Sequence, residues 1–156
     1  MLGQSAGLQQ RQIDDFKCAA DYIQYLFYGI KGWICRGQIA GDYSQQMYRY
    51  NGLIGSNHEG NNIYISMNTF FKPERTVDKL KRLNALYVDI DCYKLGLDKL
   101  SVFYQLEQDF FGTEIPVPTF VIDSGRGLYL IWKLQNEDRN ALPRWTRVQK
   151  YLTDKL

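Results

Sequence analysis

The sequence has 156 residues, of which 45% are apolar and 15% aromatic, so it can fill the core of one domain and is not wholly disordered. Its net charge of +2 excludes attachment to nucleic acid through bulk positive charge, although a local basic patch remains open. It contains a single histidine, His58, which excludes zinc sites with paired histidines and nucleases or proteases whose motifs need two.

The N-terminal part is predicted to begin with a disordered stretch, residues 1–11, followed by an amphipathic helix that starts near Gln12. The apolar positions of this helix are Ile13, Phe16, Ala20, Ile23 and Phe27. The helix is expected to end at Gly29 and Gly32. Residues 33–50 are ambiguous, because the first part is strand-like and residues 45–50 fit a helical turn. We expect the whole chain, residues 1–156, to form a single domain.

The middle of the chain is rich in residues that interrupt regular structure. Residues 52–62 are predicted to be a loop because glycine and asparagine dominate them. A short strand is predicted at residues 62–67. Residues 72–82 carry five basic and two acidic side chains and read as an exposed connector or a short helix.

The second half of the chain carries the clearest elements. Leu83–Asp91 is predicted to be a strand, and Asp98–Phe111 a helix with Asp98 as its N-cap. Pro118–Asp123 and Leu128–Leu134 are predicted to form a hairpin, and residues 136–156 start polar and end as a helix. The residues expected on the buried face of the Asp98–Phe111 helix are Leu100, Phe103, Leu106 and Phe110. The mixture predicts an α+β or α/β domain with a mostly antiparallel sheet.

Two acids end the predicted strand. Because side chains alternate along a strand, Asp89 and Asp91 point to one face together with Tyr87, about 7 Å apart. Such a pair can hold one or two divalent cations, as in enzymes of phosphoryl transfer. The plainer alternative is that the strand ends here and both acids are solvated. A calcium loop of the EF-hand type is excluded, since Lys94 and Leu100 stand where that loop needs glycine and glutamate.

A glycine-rich turn follows the acids at Ser124–Gly127. Glycines on both sides of Arg126 allow backbone N–H groups to approach an anion, and the guanidinium suits a phosphate. The alternative is an ordinary hairpin turn, which glycine also favours. No Walker loop and no dinucleotide fingerprint occurs in the sequence.

Several basic and aromatic residues are candidates for contact with nucleic acid. The connector before the acids is the better basic candidate because it leads into their strand; its members are Arg75, Lys79, Lys81 and Arg82. A basic stripe on the last helix, Arg144, Arg147 and Lys150, is better explained as a solvated face. Tyr43, Tyr48 and Tyr50 can stack on bases, although core packing explains most aromatic residues.

The order of these motifs resembles the catalytic core of the archaeo-eukaryotic primase superfamily, in particular primase-polymerases and replication proteins of plasmids, phages and integrated elements. The resemblance rests on Tyr87-Val-Asp-Ile-Asp91, a helix, a strand, then Ser124-Gly-Arg-Gly127 and an apolar strand that contains Trp132. The run from Tyr64 to Phe70 and the approach to the acids add to it. The resemblance covers about residues 60–135 well.

This resemblance implies an α+β fold with a mostly antiparallel sheet like that of the RNA-recognition motif, helices on one face and an N-terminal helical or α/β unit. It implies template-dependent nucleotidyl transfer by a DNA replication protein, with Mg²⁺ or Mn²⁺, nucleoside triphosphates and a DNA template. A helicase supplied elsewhere is a further expected partner. Independently of the resemblance, three widely spaced cysteines, Cys18, Cys35 and Cys92, favour a reducing cytoplasm, and no apolar run approaches the length of a membrane span. Asp89 and Asp91 become metal ligands and catalytic residues, and the nucleotide-binding residues become Ser124, Gly125, Arg126, Gly127, Tyr129 and Lys133.

Two departures from the family pattern shape the expectation. Tyr129 stands where the family places a histidine, so Lys133 or Arg126 is the candidate for the missing positive group. The family's third acid, on a later strand, has no counterpart after the hairpin, so we expect a truncated catalytic core that lacks activity by itself. The alternative function is a non-catalytic module that binds single-stranded nucleic acid on the sheet, although the aromatic signature of RNA-recognition motifs is absent. A third reading is an α+β domain whose likeness to primases is historical only.

Overall fold

The computed structural model describes residues 19–60 and 62–156. The predictions for residues 1–18, namely the disordered stretch and the start of the first helix, lie outside this part of the chain. The helices are α1 (Ala19–Phe27), α2 (Tyr50–Ile54), α3 (Cys92–Leu95), α4 (Lys99–Gln105) and α5 (Leu142–Lys155). The strands are β1 (Ile34–Ala40), β2 (Asp42–Tyr48), β3 (Ile63–Ile65), β4 (Thr69–Phe70), β5 (Leu80–Ile90), β6 (Phe120–Asp123) and β7 (Leu128–Asp138).

The N-terminal unit is a three-stranded antiparallel sheet of order β2-β1-β3. The helical turn considered for residues 45–50 is wrong, because β2 stays in register with β1 as far as Tyr48, opposite Ile34. The loop predicted for residues 52–62 is wrong at its start, where α2 extends to Ile54. Burial of Leu53 in the core stabilises that short helix despite its glycine.

The larger sheet has four antiparallel strands in the order β4-β5-β7-β6. Its two central strands are longer than predicted: β5 already begins at Leu80, inside the predicted connector, and β7 continues to Asp138. The register between them shifts at the buried Asn84, where β7 bulges and Asn136 adopts a φ of 57°. Because of the bulge, polar residues of β7 beyond Leu134 remain paired with β5. Their polar composition had instead suggested that the strand ends at Leu134.

The helix predicted at Asp98–Phe111 is present with Asp98 as its N-cap, since the Asp98 side chain accepts from the Ser101 N–H. After Gln105 the helix widens into a π-turn, Leu106–Phe110. The expectation that Leu100 is buried is wrong, because its side chain is 66% exposed and Val102 packs on the core instead. The first turn of α4 therefore lies beyond the edge of the core.

The four-stranded sheet is covered on both faces. On one face, Val88 and Leu130 pack with Leu106 and Leu152 from the helical segments that follow β5 and β7. On the other face, Ile131 packs among residues of the N-terminal unit, of which Ile23, Leu26, Phe27 and Ile34 are almost fully buried. This is the predicted fold: an α+β domain with a mostly antiparallel sheet like that of the RNA-recognition motif, preceded by an N-terminal α/β unit. No helix in the two described ranges is long and apolar enough to span a membrane.

Candidate nucleotide and metal site

The acid-bearing strand and the glycine turn meet at one edge of the four-stranded sheet. Asp89 is in register with Tyr129, and Ile90 with Leu128. A Cβ placed on Gly127 would lie 1.8 Å from the carbonyl oxygen of Ile90, so the turn backbone rests directly on the end of β5. The Tyr93 N–H, just past the acids, donates to the Arg126 carbonyl at 2.8 Å. The sequence placed these segments more than thirty residues apart, and the fold brings them into contact.

The turn is held by its own hydrogen bonds. The Ser124 N–H donates to the Gly127 carbonyl at 3.0 Å, and the Gly127 N–H donates to Ser124 Oγ at 3.1 Å. Gly125 has a φ of +86°, and its N–H donates to Asp123 Oδ1 at 2.7 Å. Within the described part of the chain, this leaves the Arg126 N–H as the one amide of the turn without a hydrogen-bond partner. Arg126, with its exposed guanidinium, is thus the part of the turn most available to an anion.

Lys99 holds the turn from outside. Its Nζ lies 2.7 Å from both carboxylate oxygens of Asp123 and 3.2 Å from the Gly125 carbonyl oxygen. The Lys99 ammonium and the Gly125 N–H lower the pKa of Asp123. Lys99 was not among the site residues predicted from the sequence. The available signal was a lysine in the first turn of a helix, where the macrodipole disfavours positive charge.

The two acids differ in their surroundings. Asp89 is the last acid within β5, and both partial burial and the nearby Asp91 carboxylate raise its pKa. Asp91 lies just outside the strand, which ends one residue earlier than predicted, and its Oδ1 accepts from the Lys94 N–H at 3.0 Å as the N-cap of α3. This capping explains why the chain leaves the sheet at this point.

Asp89 and Asp91 supply carboxylate oxygens, the type of ligand that a hard divalent cation prefers. A cation would relieve the repulsion between the Asp89 and Asp91 carboxylates. Across residues 19–60 and 62–156 there is no group of three or more His, Cys, Asp or Glu side chains that could hold a metal ion. Two carboxylates suit Mg²⁺, which is commonly bound by one or two carboxylates together with water and substrate phosphates.

Tyr129 lies beside the acids, at the position considered for the missing histidine. Its ring centroid is 5.8 Å from that of Tyr87. Burial, together with Tyr87 and Asp89, raises the pKa of Tyr129. The phenol is therefore neutral at physiological pH and can donate one hydrogen bond, but it supplies no charge.

The structure does not bring Lys133 to the turn. Lys133 lies four residues beyond Tyr129 on β7, roughly 13 Å along the strand. Its Nζ donates to the Tyr25 carbonyl at 2.6 Å and lies 4.5 Å from the Tyr25 ring centroid. Lys133 therefore ties β7 to α1 in this structure, away from the Ser124–Gly127 turn.

The basic connector is also remote from the acids. It enters β5 at the opposite end, and Arg82 is seven residues, or roughly 23 Å, from Asp89. Arg82 pairs with Asp138 at 3.3 Å, and Lys79 pairs with Asp78. Lys81 lies over the Phe71 ring, and Arg75 donates to the Tyr43 hydroxyl. The connector does precede the strand that carries Asp89, as predicted. Because β5 is long, however, the basic residues lie at the opposite end of that strand from the acids.

Comparison with known proteins gives one informative relative. No protein-family model matches the chain, and no solved structure matches it significantly. The chain is 44% identical over 137 residues to a protein of Clostridium perfringens. That protein is called a replication protein. The similar region is 87% of this chain and 34% of the relative, so the chain spans about a third of the relative's length.

Proposed function

We propose that this chain is the nucleotide- and metal-binding core of a DNA replication protein that performs template-directed nucleotidyl transfer. The observation that carries the proposal is the seating of Gly127 on the Ile90 carbonyl, which puts the Ser124–Gly127 turn next to Asp89 and Asp91. The name of the C. perfringens relative supports a role in DNA replication. The resemblance of the motifs to primase-polymerases supports the chemistry.

Each residue of the site has a role in this proposal. Asp89 and Asp91 would hold Mg²⁺ or Mn²⁺, which supplies charge stabilisation for phosphoryl transfer when bound. Arg126 binds the triphosphate, and Tyr129 donates a hydrogen bond to it. Lys99 keeps the turn in place. A third carboxylate near the pair is lacking in the described residues, so we propose that transfer takes place in a longer protein that supplies it.

The proposed partners follow from the proposed reaction. They are nucleoside triphosphates, a DNA template and a helicase in the same replication system. The replication of a plasmid or another mobile element is the setting that the resemblance favours.

Nucleotide binding tests the site directly. A fluorescent nucleoside triphosphate titrated with the chain in the presence of Mn²⁺ should bind, and removal of Mn²⁺ should abolish binding. Asp89→Ala and Arg126→Ala should each weaken binding about tenfold or more, because each removes a charge that faces the triphosphate or its cation. Asp109→Ala removes an exposed carboxylate elsewhere and should bind like the wild type. Wild-type protein that binds neither Mn²⁺ nor nucleotide would refute the proposal.

Transfer needs a separate test. Primer synthesis on a single-stranded template should be measured with the longest natural protein that contains this chain. The double variant Asp89→Asn/Asp91→Asn, which retains an N-cap for α3, should lose synthesis while it keeps its melting temperature. Undiminished synthesis by this variant would show that the acids are structural.

The alternative, a base-stacking module on the open face of the sheet, has less support. The face that an RNA-recognition motif uses for stacking is here covered by the N-terminal unit, and Ile131 at its centre is fully buried. Tyr87 and Tyr129 on that face are only partly accessible. A contact with single strands must therefore be sought on another surface.

A further inference from the structure

A cavity of about 220 Å³ opens on the outer face of the three-stranded sheet. The inner face of this sheet packs on α1 and α2 through residues such as Ile34. The residues that line the cavity are Gly37, Tyr43, Tyr64, Ile65, Ser66 and Arg75. The cavity is thus built from all three strands and from the connector that precedes β5.

Two tyrosine rings flank a glycine floor. Tyr64 is in register with Gly37, and Tyr43 is in register with Ile39, so all of these side chains belong to the same face. The Tyr43 ring lies over Gly37, since a Cβ on Gly37 would be 2.9 Å from Tyr43 Cε2. Tyr43 is 53% and Tyr64 54% exposed, which leaves both rings able to contact a ligand.

A positive charge stands at the rim of the cavity. Arg75 Nη1 donates to the Tyr43 hydroxyl at 3.4 Å, and that hydroxyl donates to Gln45 Oε1 at 3.0 Å. The exposed connector continues with Lys72 on one side and Glu74 between the two cations, so its local charge is positive.

We propose that this cavity binds an unpaired base of single-stranded DNA, with the rings of Tyr43 and Tyr64 against the base and Arg75 on an adjacent phosphate. Aromatic rings beside a cation are the chemistry by which proteins hold single strands without reading sequence. A duplex does not fit, because its bases are already stacked. None of the residues that line the cavity belongs to the proposed nucleotide site, so the cavity would be a second nucleic-acid contact that does not depend on nucleotidyl transfer.

Fluorescence anisotropy with a labelled oligothymidylate tests the proposal. Tyr64→Ala should weaken binding about tenfold, in line with the loss of one stacked base, whereas Tyr64→Phe should keep most of the affinity. Arg75→Ala should weaken binding. It should also reduce the slope of the logarithm of the affinity against the logarithm of salt concentration by about 0.7, the value for one phosphate contact with a single strand. Tyr104→Ala removes an equally exposed tyrosine from α4 and should bind like the wild type.

An abasic oligomer of the same length separates stacking from charge. Wild-type protein should bind it more weakly than oligothymidylate, and Tyr64→Ala should reduce this difference, because only the Tyr43 ring then remains to contact a base. Tyr43→Ala would expose the sheet surface beneath the ring and can disturb folding, so Gly37→Ala is used as the second variant. The added Cβ of Gly37→Ala should displace the Tyr43 ring and lower the affinity for oligothymidylate. Thermal melting verifies that each variant is folded.

The outcomes that overturn the proposal are distinct from those that refute the nucleotide site. Equal affinity of wild type, Tyr64→Ala and Arg75→Ala for oligothymidylate overturns it, as does equal wild-type affinity for abasic and thymidylate oligomers or no binding at all. Asp89→Ala/Asp91→Ala should lose nucleotide binding and keep oligothymidylate binding. Loss of both by that variant would mean that a single site binds both ligands, and would also overturn the proposal.

Discussion

Gly127 shows how one missing side chain fixes the site. The Gly127 backbone lies against Ile90 and Cys92 so closely that no Cβ fits. Gly127→Ala should therefore destabilise the protein by at least about 2 kcal/mol, because the turn must move off β5. Urea unfolding measures this loss, and the Mn²⁺-dependent nucleotide affinity should fall with it.

Gly125→Ala is the matched control. No atom lies within 4 Å of a Cβ at this position, but the φ of +86° disfavours alanine. The expected cost is about 1–2 kcal/mol from backbone strain alone. A larger loss for Gly125→Ala than for Gly127→Ala would mean that the contact with β5 is not what holds the turn.

The titration of Asp89 is a second consequence at the residue scale. Burial and the Asp91 charge raise the pKa of Asp89, so the folded state binds its proton more tightly than the unfolded state does. Stability should accordingly fall as pH rises from the ordinary carboxyl pKa through the folded pKa of Asp89. Asp91→Asn, which retains an N-cap, should lower the pKa of Asp89, as carboxyl carbon-13 NMR would record.

Mg²⁺ should act on the same titration in the same direction as Asp91→Asn. A bound cation favours the carboxylate, so the apparent pKa of Asp89 should fall as Mg²⁺ is added. Asp109→Asn should leave the Asp89 titration unchanged. An Asp89 pKa that ignores both Asp91→Asn and Mg²⁺ would contradict a shared cation site.

At the scale of elements, Lys99 links α4 to the nucleotide turn. Lys99→Met should cost no more than about 1 kcal/mol of stability, because the ion pair with Asp123 is exposed. It should nevertheless weaken nucleotide binding, since the Gly125 carbonyl and Asp123 lose a shared partner. Lys94→Met removes a neighbouring exposed cation and should bind nucleotide normally; equal losses in both variants would indicate a general effect of charge.

The sequence predicted correctly those elements in which apolar and polar residues alternate regularly or in which turn residues mark the ends. The strand that carries Asp89 and the hairpin around Gly125 were expected, because apolar alternation and turn residues act locally. The β1–β2 hairpin and α2 were not, since cross-strand pairing and burial of Leu53 outweigh their weak local preferences. Lys99 was missed for the related reason that its partner Asp123 is distant in sequence.

At the scale of the whole molecule, β7 joins two cores. Leu130 and Ile131 are both fully buried, but Leu130 packs with α4 and α5 segments and Ile131 with the N-terminal unit. Leu130→Ala and Ile131→Ala should each cost about 2–4 kcal/mol. Hydrogen exchange should distinguish them: Ile131→Ala should expose amides of α1 and β1, and Leu130→Ala those of α5.

The relation between the basic connector and the acids could not be predicted from sequence order. Arg82 is close to Asp89 along the chain, and only the length of an uninterrupted strand separates them in space. The connector before β5 places Arg75 beside Tyr43 and Tyr64, which come from β2 and β3. The proximity of these three side chains depends on tertiary pairing, which no local pattern of residues encodes.

The seating of Gly127 on Ile90 also bears on how such a protein can change in evolution. Residues 92–119 leave the site at Cys92 and rejoin the sheet at the far end of β6, where Thr119 is hydrogen-bonded to Ile131 and Lys133, so their two ends stay fixed whatever lies between. Enlarging an exposed turn such as that at Thr113 costs little, because doubling a flexible loop adds only about 0.6 kcal/mol of closure entropy. The turn at Thr113 is therefore a position at which related proteins can gain an inserted domain while the backbone of the Ser124–Gly127 turn stays unchanged.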